Sequence, residues 1–291
     1  MIVVTGARGL LGSAVSCRFG RSGAIGWSHG DHEGYREVDV TNQDSIERAL
    51  DAGEIAPEAI IHCAAQPNTA ACEADPAMAR ELNAEAVRKV ATAASDRGIY
   101  LVYISTDYVF AGDKEDGYTE DDPPSPLQVY GAAKALGERY CLEVADGLVV
   151  RVPLLYGVGY ALPRTTFPAQ VVASLRAGEG IKADSVEVRQ PLLTTDAADV
   201  LHQLVKARAR GIVHAAPQHG TTKYDWATEI AQLLDLDASL IQPTVPAPGA
   251  KRPRRSWLRD QRLRELHIQP PRPLLDATKA FLTEAGVDSH W

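Results

Sequence analysis

Two kinds of pattern alternate through the first half of the chain. Short apolar runs occur at 1–5, 24–28, 59–63, 100–105 and 148–152. They are too short for helices and too continuously apolar for strands with one wet face, so they predict buried strands. Between them the apolar residues recur every three to four positions, at 10–18, 45–50, 76–97 and 125–144, and predict helices. The last of these carries its own start signal: Ser125 as N-cap, Pro126 as first helical residue and Gln128 as reciprocal cap. Strands that alternate with helices give an α/β fold, a doubly wound parallel sheet of Rossmann-like form covered on both faces. After residue 155 the pattern loosens. A Gly/Pro-containing loop is expected at 157–164, helices at 167–177, 195–208, 224–234 and 274–285, and a strand at 211–215. The stretch 243–253 is too rich in proline for a regular element.

Composition narrows the class. With 291 residues, 45% hydrophobic and 23% charged, the chain is neither disordered nor in need of disulfide staples. A formal net charge of −8 argues against nucleic acid as a partner. No apolar run approaches the length of a membrane span, and the first one stops at Thr5-Gly6, so neither a span nor a secretory leader is expected. The expectation is a cytoplasmic protein, monomeric or homodimeric. The four cysteines, Cys17, Cys63, Cys72 and Cys141, lack CxxC spacing and read as reduced core or near-core residues. No His/Cys/carboxylate cluster has metal-ligand spacing, so no metal is expected; His62 reads as a satisfied core histidine and 113–122 as a solvated acidic loop.

The loop Gly6-Ala7-Arg8-Gly9-Leu10-Leu11-Gly12 lies between a strand and a helix. Its glycines permit a tight turn, close approach of backbone to a pyrophosphate and close helix–strand packing, and the helix N-terminus offers N–H groups to the phosphates. A dinucleotide is therefore expected here. The second strand ends in Ser28 and His29 instead of the carboxylate that holds a free ribose 2′-hydroxyl. With Arg8 they favour a 2′-phosphate, hence NADP, with NAD left open by nearby Asp31 and Glu33. Asp39-Val40 falls where such folds set an Asp beside the adenine, or where an Asp caps a turn. Residues 1–155 are thus expected to form mainly the dinucleotide-binding domain. Residues 156–291 are expected to form mainly a smaller substrate-binding lobe over the strand ends, with some segments returning to the sheet.

Thr106 follows the fourth apolar run, while Tyr130 and Lys134 are spaced i, i+4 on one helix face. A phenol titrates near ~10, so proton exchange at neutral pH asks for a cation beside it, which Lys134 would supply. Tyr130 would protonate a carbonyl oxygen that Thr106 holds, while hydride reaches carbon; reversed, the set oxidises an alcohol. The expected chemistry is carbonyl/alcohol redox.

Several segments carry a family resemblance. Residues 104–112 (ISTDYVFAG), 118–124 (YTEDDPP) and 126–134 (PLQVYGAAK) resemble the extended short-chain dehydrogenase/reductases. More narrowly they resemble the dTDP-4-dehydrorhamnose reductase family and the related regulatory β subunits of methionine adenosyltransferase. His62-Cys-Ala-Ala65, Glu73, Asn83, Gln190, Thr195 through Asp199 and Lys251-Arg-Pro253 fit the same pattern. The resemblance implies an NAD(P)H-dependent reductase of a nucleotide-activated 4-keto sugar with Thr106, Tyr130 and Lys134 catalytic, or, alternatively, a cofactor-binding regulatory subunit. It implies that Ala64, Ala65 and Asn83 serve the cofactor side, and that Glu73, Asp107, Tyr108, Gln190 and Arg252 lie toward a nucleotide-sugar substrate. The reductases carry Asp where Ala70 and Ala111 stand and Trp where Leu154 stands. Residues 152–156 and 222–226 are nearer the methionine adenosyltransferase subunit.

Overall fold

In the computed structural model, residues 1–20, 22–52, 56–161, 165–245 and 252–287 are described. The chain runs through β1 (Ile2–Thr5), α1 (Leu10–Phe19), β2 (Ala24–Ser28), β3 (Arg36–Glu37), α2 (Gln43–Asp51) and β4 (Ala59–His62). Then come α3 (Thr69–Ala74), α4 (Pro76–Arg80), a π turn at Glu81–Glu85, α5 (Ala86–Asp96), β5 (Tyr100–Thr106), α6 (Val129–Leu142) and β6 (Gly147–Val152). The remainder holds β7 (Leu155–Tyr156), α7 (Phe167–Arg176), β8 (Ile181–Asp184), β9 (Leu192–Leu193), α8 (Thr194–Ala207) and β10 (Gly211–His214). It closes with α9 (Lys223–Leu233), β11 (Ile241–Thr244), α10 (Gln261–Glu265) and α11 (Leu274–Glu284).

Seven strands form one parallel sheet in the order β10-β6-β5-β4-β1-β2-β3. Strand order reverses between β1 and β4, which opens a crevice at their carboxyl ends where doubly wound sheets take ligands. Residues of β1, β4, β5 and β6 are buried throughout, as strands covered on both faces must be. Alternate side chains serve two cores. Ile2, Val4, Val102 and Val150 pack with α1 and α8; Val3, Ile60, Leu101 and Val149 pack with α2, α5 and α6. Residues from 192 to 215 thus return to the sheet. A third core joins Tyr156, Val171, Trp226, Ile230 and Phe281 beyond the strand ends.

Several expected elements differ. Helix α6 starts at Val129, because Ser125 closes the preceding loop: its N–H goes to the Val109 carbonyl (2.7 Å) and its hydroxyl accepts from Ala111 N–H (3.3 Å). Gln128 itself becomes the N-cap residue, in extended conformation, and the Val129 N–H is taken by Glu73 from α3 at 2.8 Å. The long helix expected at 76–97 is interrupted by the π turn around Asn83. Proline does not prevent a strand at β11: among the described residues it pairs with β8 alone, so Pro243 needs no second ladder partner there. The rest of that proline-rich stretch, 246–251, lies outside the described residues, as do 162–164 of the expected loop. Cys17 is exposed, whereas Cys72 and Cys141 are buried and Cys63 is half-buried. Glu120 is buried too, accepting from His214 N–H (3.3 Å) and Arg262 N–H (3.1 Å), so the acidic loop is solvated only in part. No helix among the described residues is long and apolar enough to cross a membrane.

Candidate active site

The glycine loop forms one wall of the crevice. Gly6 has φ +61°, and a Cβ there would sit 2.8 Å from the Ala64 backbone; a Cβ on Gly12 would lie 2.3 Å from the Gly6 carbonyl oxygen. Loop, helix and the segment after β4 therefore close together only with glycine at these positions. Gly9 is the N-cap residue of α1, no side chain caps it, and the first turn carries no acid. Its N–H groups are left for an anion. Beside them lies a groove of about 250 Å³, lined by Gly6, Gly9, Trp27, His29, Val38, Asp39, Val40, Cys63, Ala64, Ala65 and Leu82.

The other expected cofactor residues separate. Arg8 and Leu10 are half-buried, while Leu11 turns into the core. Ser28 is buried and its hydroxyl donates to the His29 carbonyl (3.4 Å), so His29 faces the groove and Ser28 does not line it. Asp39 does two things: it lines the groove and accepts from Thr41 N–H (2.9 Å) and Thr41 Oγ1 (2.6 Å), bonds that hold its carboxyl below the usual range. Asp31 and Glu33 are exposed. Asn83 is wholly buried; it accepts from Gln66 N–H (2.8 Å) and donates to the Gln66 carbonyl (3.1 Å). It ties down the loop that carries Ala64 and Ala65 instead of lining the groove. Trp27, Val38, Cys63 and Leu82 had no signal in sequence beyond being apolar.

At the end of β5, the Thr106 hydroxyl donates to Asp107 Oδ1 (3.1 Å) and accepts from Tyr108 N–H (3.2 Å). Tyr130 stands against Thr106, its ring edge-on to Tyr108 with centroids 6.2 Å apart. Lys134 is buried, donates to the Ile104 carbonyl (2.6 Å) and lies 4.1 Å from the centre of the Tyr103 ring. Burial pushes the Tyr130 phenol upward against the pull of Thr106, and brings the Lys134 ammonium down to about 7 despite the nearby Glu138 carboxylate. The protein's own groups thus hold Tyr130 away from ionisation, opposite to the direction the Tyr–Lys spacing suggested.

Behind Lys134 sits a buried charge network that sequence reasoning missed. Glu138 accepts from Ser105 Oγ (2.6 Å), Arg151 Nε (2.9 Å) and Arg151 Nη2 (2.8 Å). Arg151 Nη1 meets His214 Nε2 at 3.2 Å. A guanidinium only donates, so His214 accepts at Nε2 and gives its Nδ1–H to the Arg259 carbonyl, 3.1 Å away. Two signals were available: an arginine inside an apolar strand needs a partner, and Tyr130, Lys134 and Glu138 share one stripe of α6.

On the expected substrate side, Tyr108 is half-buried with the Arg189 guanidinium 5.7 Å from its ring centre, and Arg252 is exposed beside it. Lys223 also lies in the field of Arg252 and Arg189. The remaining expected residues have partners within the protein. Asp107 is buried with one oxygen on Thr106 and the other on Ser256. Gln190 is buried, donating to the Pro217 (2.6 Å) and Leu258 (3.1 Å) carbonyls and accepting from Leu258 N–H (2.7 Å). Glu73 caps α6. These three hold the protein's own chain. Lys251 lies outside the described residues, and no three His, Cys, Asp or Glu side chains among the described residues gather as a metal site.

Comparison with known proteins fits this arrangement. Residues 1–287 match the RmlD substrate binding domain family. The chain belongs to that family. Its members are extended short-chain dehydrogenase/reductases, oxidoreductases of Rossmann fold. The chain is 34% identical to a dTDP-4-dehydrorhamnose reductase of Streptomyces griseus, over 97% of this chain and 92% of that one. It is 32% identical to methionine adenosyltransferase 2 subunit beta of Rattus norvegicus, over 100% of this chain and 89% of that one. It superposes on the dTDP-4-dehydrorhamnose reductase of Bacillus anthracis in complex with NADP with a TM-score of 0.87, at 26% identity, covering 97% and 98% of the two chains.

Proposed function

We propose that this RmlD-family protein reduces the keto group of a nucleotide-linked 4-keto deoxysugar with a nicotinamide dinucleotide, NADPH in preference to NADH. The observation that carries the reading is the meeting of the Thr106 and Tyr130 hydroxyls at the strand ends, in the same crevice region as the uncapped N-terminus of α1. The groove suits the dinucleotide: its glycines bring backbone to the pyrophosphate, and His29 in the groove and Arg8 in the loop are the groups offered to a 2′-phosphate, with the Asp39 carboxylate kept occupied by Thr41. When bound, the dinucleotide supplies hydride to the carbonyl carbon.

The chain's own residues do the rest. Tyr130 gives its proton to the carbonyl oxygen, and Thr106 holds the resulting phenolate. Lys134 is the cation one helical turn away, balanced by Glu138. Lys223 and Arg252 offer positive charge to a substrate diphosphate near Tyr108, with Arg189 behind them paired to Glu187 (2.6 Å), which suits a nucleotide-linked sugar better than a free one.

Purified protein is assayed for loss of reduced-nicotinamide absorbance with NADPH and NADH against nucleotide-linked 4-keto-6-deoxy sugars. Turnover with one of them, faster with NADPH, is the expected result. Tight NADPH binding with no turnover across the panel overturns it. That outcome favours a second reading, a cofactor-binding regulatory subunit, which the full-length similarity to methionine adenosyltransferase 2 subunit beta supports. Co-purification with a methionine adenosyltransferase is its test.

A further inference from the structure

The Thr106–Asp107 corner receives one group from the far end of the chain. The segment around residue 256 lies along the sheet's carboxyl edge, held by backbone on both sides. Val188 N–H donates to the Arg254 carbonyl (3.1 Å), Tyr118 N–H to the Trp257 carbonyl (2.7 Å), and Leu258 N–H to Gln190 Oε1 (2.7 Å). This places Ser256, itself 4% exposed, so that its hydroxyl donates to Asp107 Oδ2. Asp107 is also 4% exposed, and its other oxygen takes the hydrogen of Thr106.

We propose that Ser256 is a positioning residue that releases the Thr106 hydroxyl to Tyr130 by sharing the charge of Asp107; the inference rests on the reductase reading of the site. Thr106 has a single hydrogen. It is given to Asp107, while Tyr108 N–H takes one of the two lone pairs. Once Tyr130 has surrendered its proton, the phenolate and the carboxylate compete for that hydrogen. A buried carboxylate with one hydroxyl donor holds it fast or takes up a proton itself. A second donor lowers the demand of Asp107 on Thr106, and Ser256 is that donor. The other ionisable groups facing Asp107 are Arg189, Tyr108 and Tyr130. Because two backbone bonds and the Gln190 amide already seat the segment, the serine hydroxyl is not needed to dock it.

The test compares wild type with Ser256→Ala and with the equal-volume pair Ser256→Thr and Ser256→Val. Removing the hydroxyl is expected to lower kcat about tenfold or more, the size of one hydrogen bond to a charged group. KM and the NADPH Kd should stay within about twofold, and Ser256→Thr should recover what Ser256→Val does not. The infrared band of the protonated Asp107 carboxyl, assigned by its loss in Asp107→Asn, should titrate at higher pH in Ser256→Ala and Ser256→Val than in wild type. Unchanged kcat, or an Asp107 titration that does not move, overturns the proposal. Should wild type turn over no substrate, the reductase reading fails alone, and the Asp107 titration still decides whether Ser256 governs this carboxylate.

Discussion

Glu138 and Arg151 bring opposite charges to a place where water does not reach, and each is stable there only because of the other. Glu138→Gln is therefore expected to cost about 3–5 kcal/mol, read as a lower denaturant midpoint. The double change Glu138→Gln with Arg151→Met should recover part of it, since the guanidinium no longer stays behind without its carboxylate, whereas Lys134 still loses the balancing charge. Tyr130→Phe belongs to the chemistry instead. It should lower kcat by about a hundredfold to ten-thousandfold, leaving NADPH affinity within about twofold by fluorescence titration. The i, i+4 pair of Tyr130 and Lys134 was legible because helical spacing is local. Ser256 was not: its partner Asp107 is 149 residues away, and only tertiary packing brings them together. Asp107 and Gln190 were placed toward substrate by family resemblance, and their partners within the chain, Ser256 and Leu258, lie too far along the sequence to be read from it.

The glycine loop was readable as an element because its neighbours, one strand and one helix, are both strongly patterned. Gly12→Ala places a Cβ within 2.3 Å of the Gly6 carbonyl oxygen. Overpacking of this kind costs about 1–3 kcal/mol. Dinucleotide affinity should drop by roughly ten- to a hundredfold, measured by calorimetric titration, while the circular dichroism spectrum stays unchanged. Helix 76–97 was legible in extent but not in its interruption. The π turn points Asn83 inward to hold both polar groups of the Gln66 backbone, and no periodicity announces one extra residue in a turn. The start of α6 was misplaced for a related reason. Ser125, Pro126 and Gln128 have cap-like spacing, but the N–H of Ser125 is claimed by Val109, and the helix is capped from a different helix.

Across the whole molecule, acid is expected to act through two buried histidines. Burial, with Lys134 beyond it, lowers His62 from 6.5 to about 3, and burial with Arg151 lowers His214 likewise. Both are neutral in the folded protein, while the unfolded chain takes up protons below pH 6.5. Stability should fall from there toward pH 3 by about 1.4 kcal/mol per pH unit for each histidine, seen in urea midpoints measured at successive pH values. The parallel sheet behind this was predictable from alternation alone. The small paired strands β7–β9 and β8–β11 were not, being too short to show a period. The distance from residue 107 to residue 256 also sets the corner apart from the glycine loop. The glycine loop and its facing wall at Ala64 are joined over a short stretch of chain, Thr5 Oγ1 accepting from Ala64 N–H 59 residues further on. The corner at Thr106 instead needs Ser256 to reach Asp107 and Leu258 to fill both ends of the Gln190 amide. The two sides of the nucleotide wall are therefore joined by nearby chain, and those of the proton-handling corner by distant chain.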